Sequence, residues 1–166
     1  MESNPQIRTS LAIYDLIDAE NVDAREIAQA VRNGDHARAE KLALNAAPIA
    51  QINELLTLSN IPIEITVQAG DQLMASKRGG TPYPAAHLSD GERNALLIGA
   101  EVLTAKSGTL LVIDEPERHL HRSIISPLLS RLFHHRRDCA FVIATHGLML
   151  PVDNPESRVL LVRSCA

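Results

Sequence analysis

"LLVIDEPERHLH", residues 110–121, decides how this chain is built. Four apolar residues run directly into Asp114, Glu115 and Pro116. A continuous apolar run of that kind is the pattern of a strand buried in a parallel sheet. "AFVIA", residues 140–144, repeats it, and the residues near 123–135 between the two runs have a helical pattern. The expectation is a pair of buried parallel strands, 109–113 and 140–144, joined by a crossover helix. Pro127 either starts that helix, with Ser126 as its cap, or bends its first turns. A further strand is expected at 158–162, within "RVLLV".

Parallel sheets bind ligands in the crevice beyond the C-terminal ends of their strands, which is where Asp114 and Glu115 fall. His146 begins the loop after "FVIAT" and should share that edge. Adjacent carboxylates repel, so they are held ionised by a cation or divided by role. In nucleotide hydrolases a carboxylate at such a strand end holds Mg²⁺, and a second orients or deprotonates the attacking water. A histidine there suits a hydrogen bond to a phosphate oxygen. The plain alternative is a solvated acidic strand end and a loop histidine.

Upstream, Ser89 is followed three residues later by Glu92, a capping-box pattern ahead of the apolar helix in "HLSDGERNALLIGAEVL". Ser89 and Gly91 therefore sit at a helix N-terminus, whose free N–H groups favour an anion. Asp90 and Glu92 add negative charge there and count against one. Ile61, Ile63, Ile65 and Val67 alternate with period two, "AGD" at 69–71 makes a turn, and "QLMASK" follows as a partner strand. Residues 8–59 are expected to be helical, broken at "RNGD" (32–35) and at Pro48. Ile49, Ile52, Leu55 and Leu56 form one stripe on the last of these helices.

The 166 residues suffice for one domain with an aliphatic core, since the only aromatic residues are Tyr14, Tyr83, Phe133 and Phe141. A formal net charge of −4 excludes a basic surface spread over the whole chain. Cys139 and Cys165 form no disulfide framework and suit a reducing compartment. "MESNPQIRTS" lacks an apolar signal region and no apolar run approaches membrane-spanning length, so a cytoplasmic protein with no membrane partner is expected.

Three motifs in order resemble those of ABC-type ATPase heads, in the branch that includes the SMC, Rad50 and RecF-like proteins. "LSDGER" resembles the signature motif, "TLLVIDEP" the Walker B segment and "VIATH" the switch histidine. Asp114 lies 25 residues after Ser89, and His146 a further 32 on, which fits the family's spacing. "DEPERHLH" is similar to a branch of bacterial AAA-labelled ATPases related to the OLD family. The resemblance covers residues 61–150. It implies a partial P-loop NTPase head of α/β class in 61–166, preceded by a helical insertion or dimer-packing segment in 1–60. It also implies ATP and Mg²⁺ as ligands. Asp114 would hold Mg²⁺, Glu115 would activate water and His146 would sense the γ-phosphate. Ser89 and Gly91 would contact the γ-phosphate of a nucleotide on the opposite subunit. Glu117, Arg118, His119 and Leu120 would form the D-loop at the interface of a head-to-tail homodimer.

No G-x-x-x-x-G-K-[ST] occurs, and in "SKRGGTP" Lys77 precedes the glycines. The phosphate loop is therefore expected before Met1 or on a split partner, and the chain by itself should bind ATP poorly and hydrolyse almost none. Relatives that work on DNA, or carry a nuclease or other effector, make those further partners by analogy. Two other readings compete. One is a non-catalytic module that completes a partner ATPase or serves as a scaffold. The other is a metal hydrolase, suggested by the five histidines after residue 118.

Overall fold

A computed structural model describes residues 5–162, apart from 45–46, 69–70, 78 and 119. Three helices come first: α1 (Pro5–Arg32), α2 (His36–Leu44) and α3 (Pro48–Leu58). Gly34, at φ +73°, supplies the left-handed residue in the "RNGD" turn between α1 and α2. Pro48 opens α3 at a position where its missing N–H costs nothing. Ile49, Ile52, Leu55 and Leu56 are all buried, as their spacing predicts.

Strands β1 (Glu64–Gln68) and β2 (Gln72–Ser76) pair antiparallel, Ile65 opposite Ala75. Of the "AGD" turn, only Asp71, at φ +57°, lies within the described residues. A short third strand, β3 (Tyr83–Pro84), adds to β2 and was not expected. Asn53 of α3 holds the free side of β1: its amide donates to the Ile65 carbonyl at 2.8 Å and accepts from the Ile65 N–H at 2.7 Å.

The remaining elements are α4 (Asp90–Thr104), β4 (Leu110–Asp114), α5 (Arg122–His135), β5 (Ala140–Ala144) and α6 (Met149–Asp153). β4 and β5 are parallel and in register from Leu110↔Ala140 to Asp114↔Ala144, with α5 as the crossover. Pro127 is inside α5, not at its start. The cap is His121, whose Nδ1 accepts the Ser123 N–H, and Ser126 instead donates its hydroxyl to Asp153 of α6.

A single core joins α1, α3, the hairpin, α4 and α5, with Leu16, Ile52, Leu56, Ile65, Leu128, Leu129 and Leu132 wholly enclosed. Two expectations need correction. Leu111, Ile113 and Phe141 pack against this core, but Leu110, Val112 and Val142 on the opposite face are 60%, 70% and 52% exposed. The two strands are thus covered on one face only. Residues 158–162 form no strand; Val159–Val162 are exposed and unpaired, because no described strand lies alongside them to supply ladder bonds. Among the described residues no helix is long and apolar enough to cross a membrane.

Candidate functional site at the sheet rim

The in-register pairing of β4 and β5 brings both C-terminal ends to one edge. The chain then closes the edge with a bond outside the ladder, from the Glu115 N–H to the Ala144 carbonyl at 2.8 Å. Making it, and turning sharply into Pro116, puts Glu115 at φ +45°, a left-handed conformation that a side chain with a Cβ adopts only under constraint. His146 stands opposite, its Nε2 3.3 Å from Glu115 Oε1. Asp114, Glu115 and His146 are all exposed. Among the described residues the Asp114 carboxylate makes no hydrogen bond or ion pair. The rim thus gathers two carboxylates and an imidazole that the sequence separates by some thirty residues.

The loop after β4 is tied down on both sides. Asn94 of α4 donates to the Arg118 carbonyl at 2.9 Å and, more weakly, to that of Pro116 at 3.4 Å. Glu117 reaches the other way, accepting the His146 N–H at 2.7 Å and the Thr145 hydroxyl at 2.9 Å. Burial alone would raise the Glu117 pKa, but hydrogen bonds from its own N–H, the His146 N–H and Thr145, with the nearby imidazole, outweigh it and lower the group. Leu120 is buried beneath the loop and Arg118 is exposed. His119 lies outside the described residues. The recess behind the loop, lined by Pro116, Glu117, Thr145, His146 and Leu150, holds only about 80 Å³, too little to enclose a nucleotide.

Ser89 caps α4 as its spacing predicts. Its hydroxyl and N–H donate to Glu92 Oε2 at 2.7 and 2.9 Å, while the return bond from the Glu92 N–H is long at 3.4 Å. Burial would raise Glu92; the two Ser89 bonds and Lys77, 3.3 Å away, together lower it. Arg93 folds back onto the carbonyls of Ala86 and Leu88, at 2.7 and 3.2 Å, and so fixes the approach to the Ser89 turn. Ser89 spends its polar atoms on Glu92, not on the rim carboxylates, and the Ser89 turn is exposed. Sequence reasoning missed Asn94, Arg93 and Thr145. Their bonds run to backbone or to groups distant in the chain, and only the "LSDGERN" context hinted at the first two.

Among the described residues no three or more His, Cys, Asp or Glu side chains converge to hold a metal. His134 lies instead in the last turn of α5, its Nδ1 3.3 Å from the Ser130 carbonyl.

A family profile described as "AAA domain, putative AbiEii toxin, Type IV TA system" matches residues 3–152. Comparison with curated proteins gives no match. Among solved structures, the chain is similar to one from work titled structural biochemistry of ATP-driven dimerization and DNA stimulated activation of SMC ATPases, with 10% identity and a TM-score of 0.50. That match covers 64% of this chain and 71% of the other. The Smc head domain of Pyrococcus furiosus, with an extended coiled coil and bound to the C-terminal domain of ScpA, gives 14% identity and a TM-score of 0.53 over 89% of this chain. The Smc head of Pyrococcus yayanosii, with coiled coil and joint, gives 13% and 0.50 over 82%. The match spans 44% of the P. furiosus chain and 28% of the P. yayanosii chain.

Proposed function

Because the chain belongs to this AAA-domain family and has the fold of an ABC/SMC-like ATPase head, we propose that it supplies the hydrolytic rim and the signature surface of an ATP sandwich. The observation that carries the reading is the rim itself: Glu115 N–H bonded to Ala144, and His146 Nε2 3.3 Å from the Glu115 carboxylate. Glu115 accepts the proton of the attacking water. His146 donates to a γ-phosphate oxygen, and Asp114, its carboxylate free among the described residues, is the Mg²⁺ ligand. The donor set fits Mg²⁺, which takes one or two carboxylates and fills its other positions with water and phosphate oxygens. Mg²⁺ when bound neutralises charge developing on the phosphates.

Ser89 and Gly91 present the N-terminus of α4 to a nucleotide held by a second subunit, with the segment Glu117–Leu120 as the D-loop at the dimer interface. Residues 1–60 are assigned as the helical insertion and 61–166 as the head portion. The bare face of β4 and β5 supports a partner layer there. We assign to it the phosphate-loop half of the head, on a partner or elsewhere in a longer polypeptide, because an uncovered parallel sheet is rare. DNA and an attached effector are proposed from the resemblance, and a cytoplasmic location from the cysteine usage.

The test is Glu115→Gln in an assembly that contains the phosphate loop. Hydrolysis should fall at least about a hundredfold with ATP binding retained, and hydrolysis at the original rate sinks the assignment. The 166-residue chain alone should show no micromolar MgATP binding by calorimetric titration. A non-catalytic module that completes a partner ATPase or serves as a scaffold is the second reading, favoured by the bare face of β4 and β5 that a partner would cover. It predicts that Glu115→Gln leaves the partner's turnover unchanged.

A further inference from the structure

On the ATPase reading above, we infer that Glu117 is the positioning residue of His146: its carboxylate, bridging the loops after β4 and β5, sets where the imidazole meets Glu115. The resemblance gives Glu117 only a place in the D-loop, facing a second subunit. In this structure the side chain turns inward instead. Oε1 accepts the His146 N–H at 2.7 Å, and Oε2 accepts the Thr145 hydroxyl at 2.9 Å.

Thr145 Oγ1 in turn accepts the Gly147 N–H at 2.9 Å. Thr145 and His146 are therefore pinned directly to one carboxylate, and Gly147 through the Thr145 hydroxyl. The carboxylate is itself fixed, because Asn94 holds its loop from the α4 side and the Arg118 N–H closes a turn onto the Glu115 carbonyl at 2.9 Å. The His146 side chain is 88% exposed, so packing does not orient it. Its backbone anchor, together with the 3.3 Å contact to Glu115, does. A residue that fixes that backbone determines the imidazole's reach toward Glu115 and, in the ATPase, toward a terminal phosphate. Glu117 itself touches no reacting atom.

The test uses the 166-residue chain and no nucleotide, so it stands or falls separately from the ATPase reading. Amide hydrogen exchange and histidine ring resonances are followed by NMR in Glu117→Ala and Glu117→Gln. In Glu117→Ala the His146 amide should exchange at least about tenfold faster, the loss of one charge-assisted hydrogen bond, and the His146 ring resonances should move. The Val142 and Ile113 amides of the β4–β5 ladder should stay within about twofold. Glu117→Gln keeps an acceptor oxygen for the His146 N–H and should recover most of the protection. Unchanged His146 exchange in Glu117→Ala overturns the inference, and so does a rise shared equally by the ladder amides. If Glu117→Ala does not fold, Thr145→Val decides: it removes the hydroxyl that anchors Oε2, and a His146 amide and ring left unmoved overturn the inference equally.

Discussion

Arg136 shows how much one side chain can hold. Its guanidinium donates to the carbonyls of Val102, Leu103 and Ala105 at 2.6 to 2.9 Å, and so satisfies the C-terminal end of α4. Asp138, at 2.9 Å, orients it; that hydrogen bond raises the Arg136 pKa and takes Asp138 down to about 2. Arg136→Ala should lower unfolding stability by about 2 kcal/mol, read from urea midpoints, because three carbonyls lose their donor. Arg136→Lys should recover only part, since an ammonium cannot span them as a planar fork does. The carboxylates of Glu92 and Glu117 predict an acid response. Both titrate below their ordinary 4.5 in the folded chain, so as the pH drops through that value the unfolded chain binds more protons. Their stabilisation is complete above about pH 5 and is lost as the pH falls through the folded values. Denaturation curves from about pH 6 to 3 should show this decline, and Glu92→Gln should flatten it.

At the scale of the element, α3 and β1 depend on each other through Asn53, which serves the Ile65 N–H and carbonyl as a neighbouring strand would. Ile65 is wholly buried, so Asn53→Ala strands two backbone groups away from water. The expected loss is about 2–3 kcal/mol by denaturation, with β1 amides losing exchange protection first. How much was legible in the sequence follows the range of the forces involved. The Ser89–Glu92 cap, the Gly34 break, the Ile61–Val67 alternation and the β4–α5–β5 unit depend on neighbours a few residues apart, and each is visible as spacing. The rim was legible as well, since strand ends of a parallel pair must share an edge. Asn53, Asn94 and Arg136 act on backbone 12 to 34 residues away and leave no local pattern. "RVLLV" misleads for a related reason: its composition suits a strand, but strands need a partner and none of the described ones adjoins it.

For the molecule as a whole, the core and the rim lie apart. The enclosed leucines and isoleucines are in α1, α3, β1 and α5, while Asp114, Glu115 and His146 are exposed at one end of a small sheet. The outer face of that sheet predicts behaviour in solution. Leu110, Val112 and Val142 should bind an apolar dye and promote self-association, and a Val112→Lys, Val142→Lys double variant should lower the dye signal without moving the thermal midpoint. The left-handed backbone at Glu115 has a longer reach. A conformation disfavoured for glutamate by about 1 kcal/mol is tolerated where glycine would sit at ease, so Glu115→Gly should melt slightly higher than the parent. Folding alone would therefore steer this position away from an acid over generations. Glutamate at this turn carries a cost in stability that the proposed hydrolytic role would have to offset, and on that reading the rim gives up some robustness of the fold for chemistry.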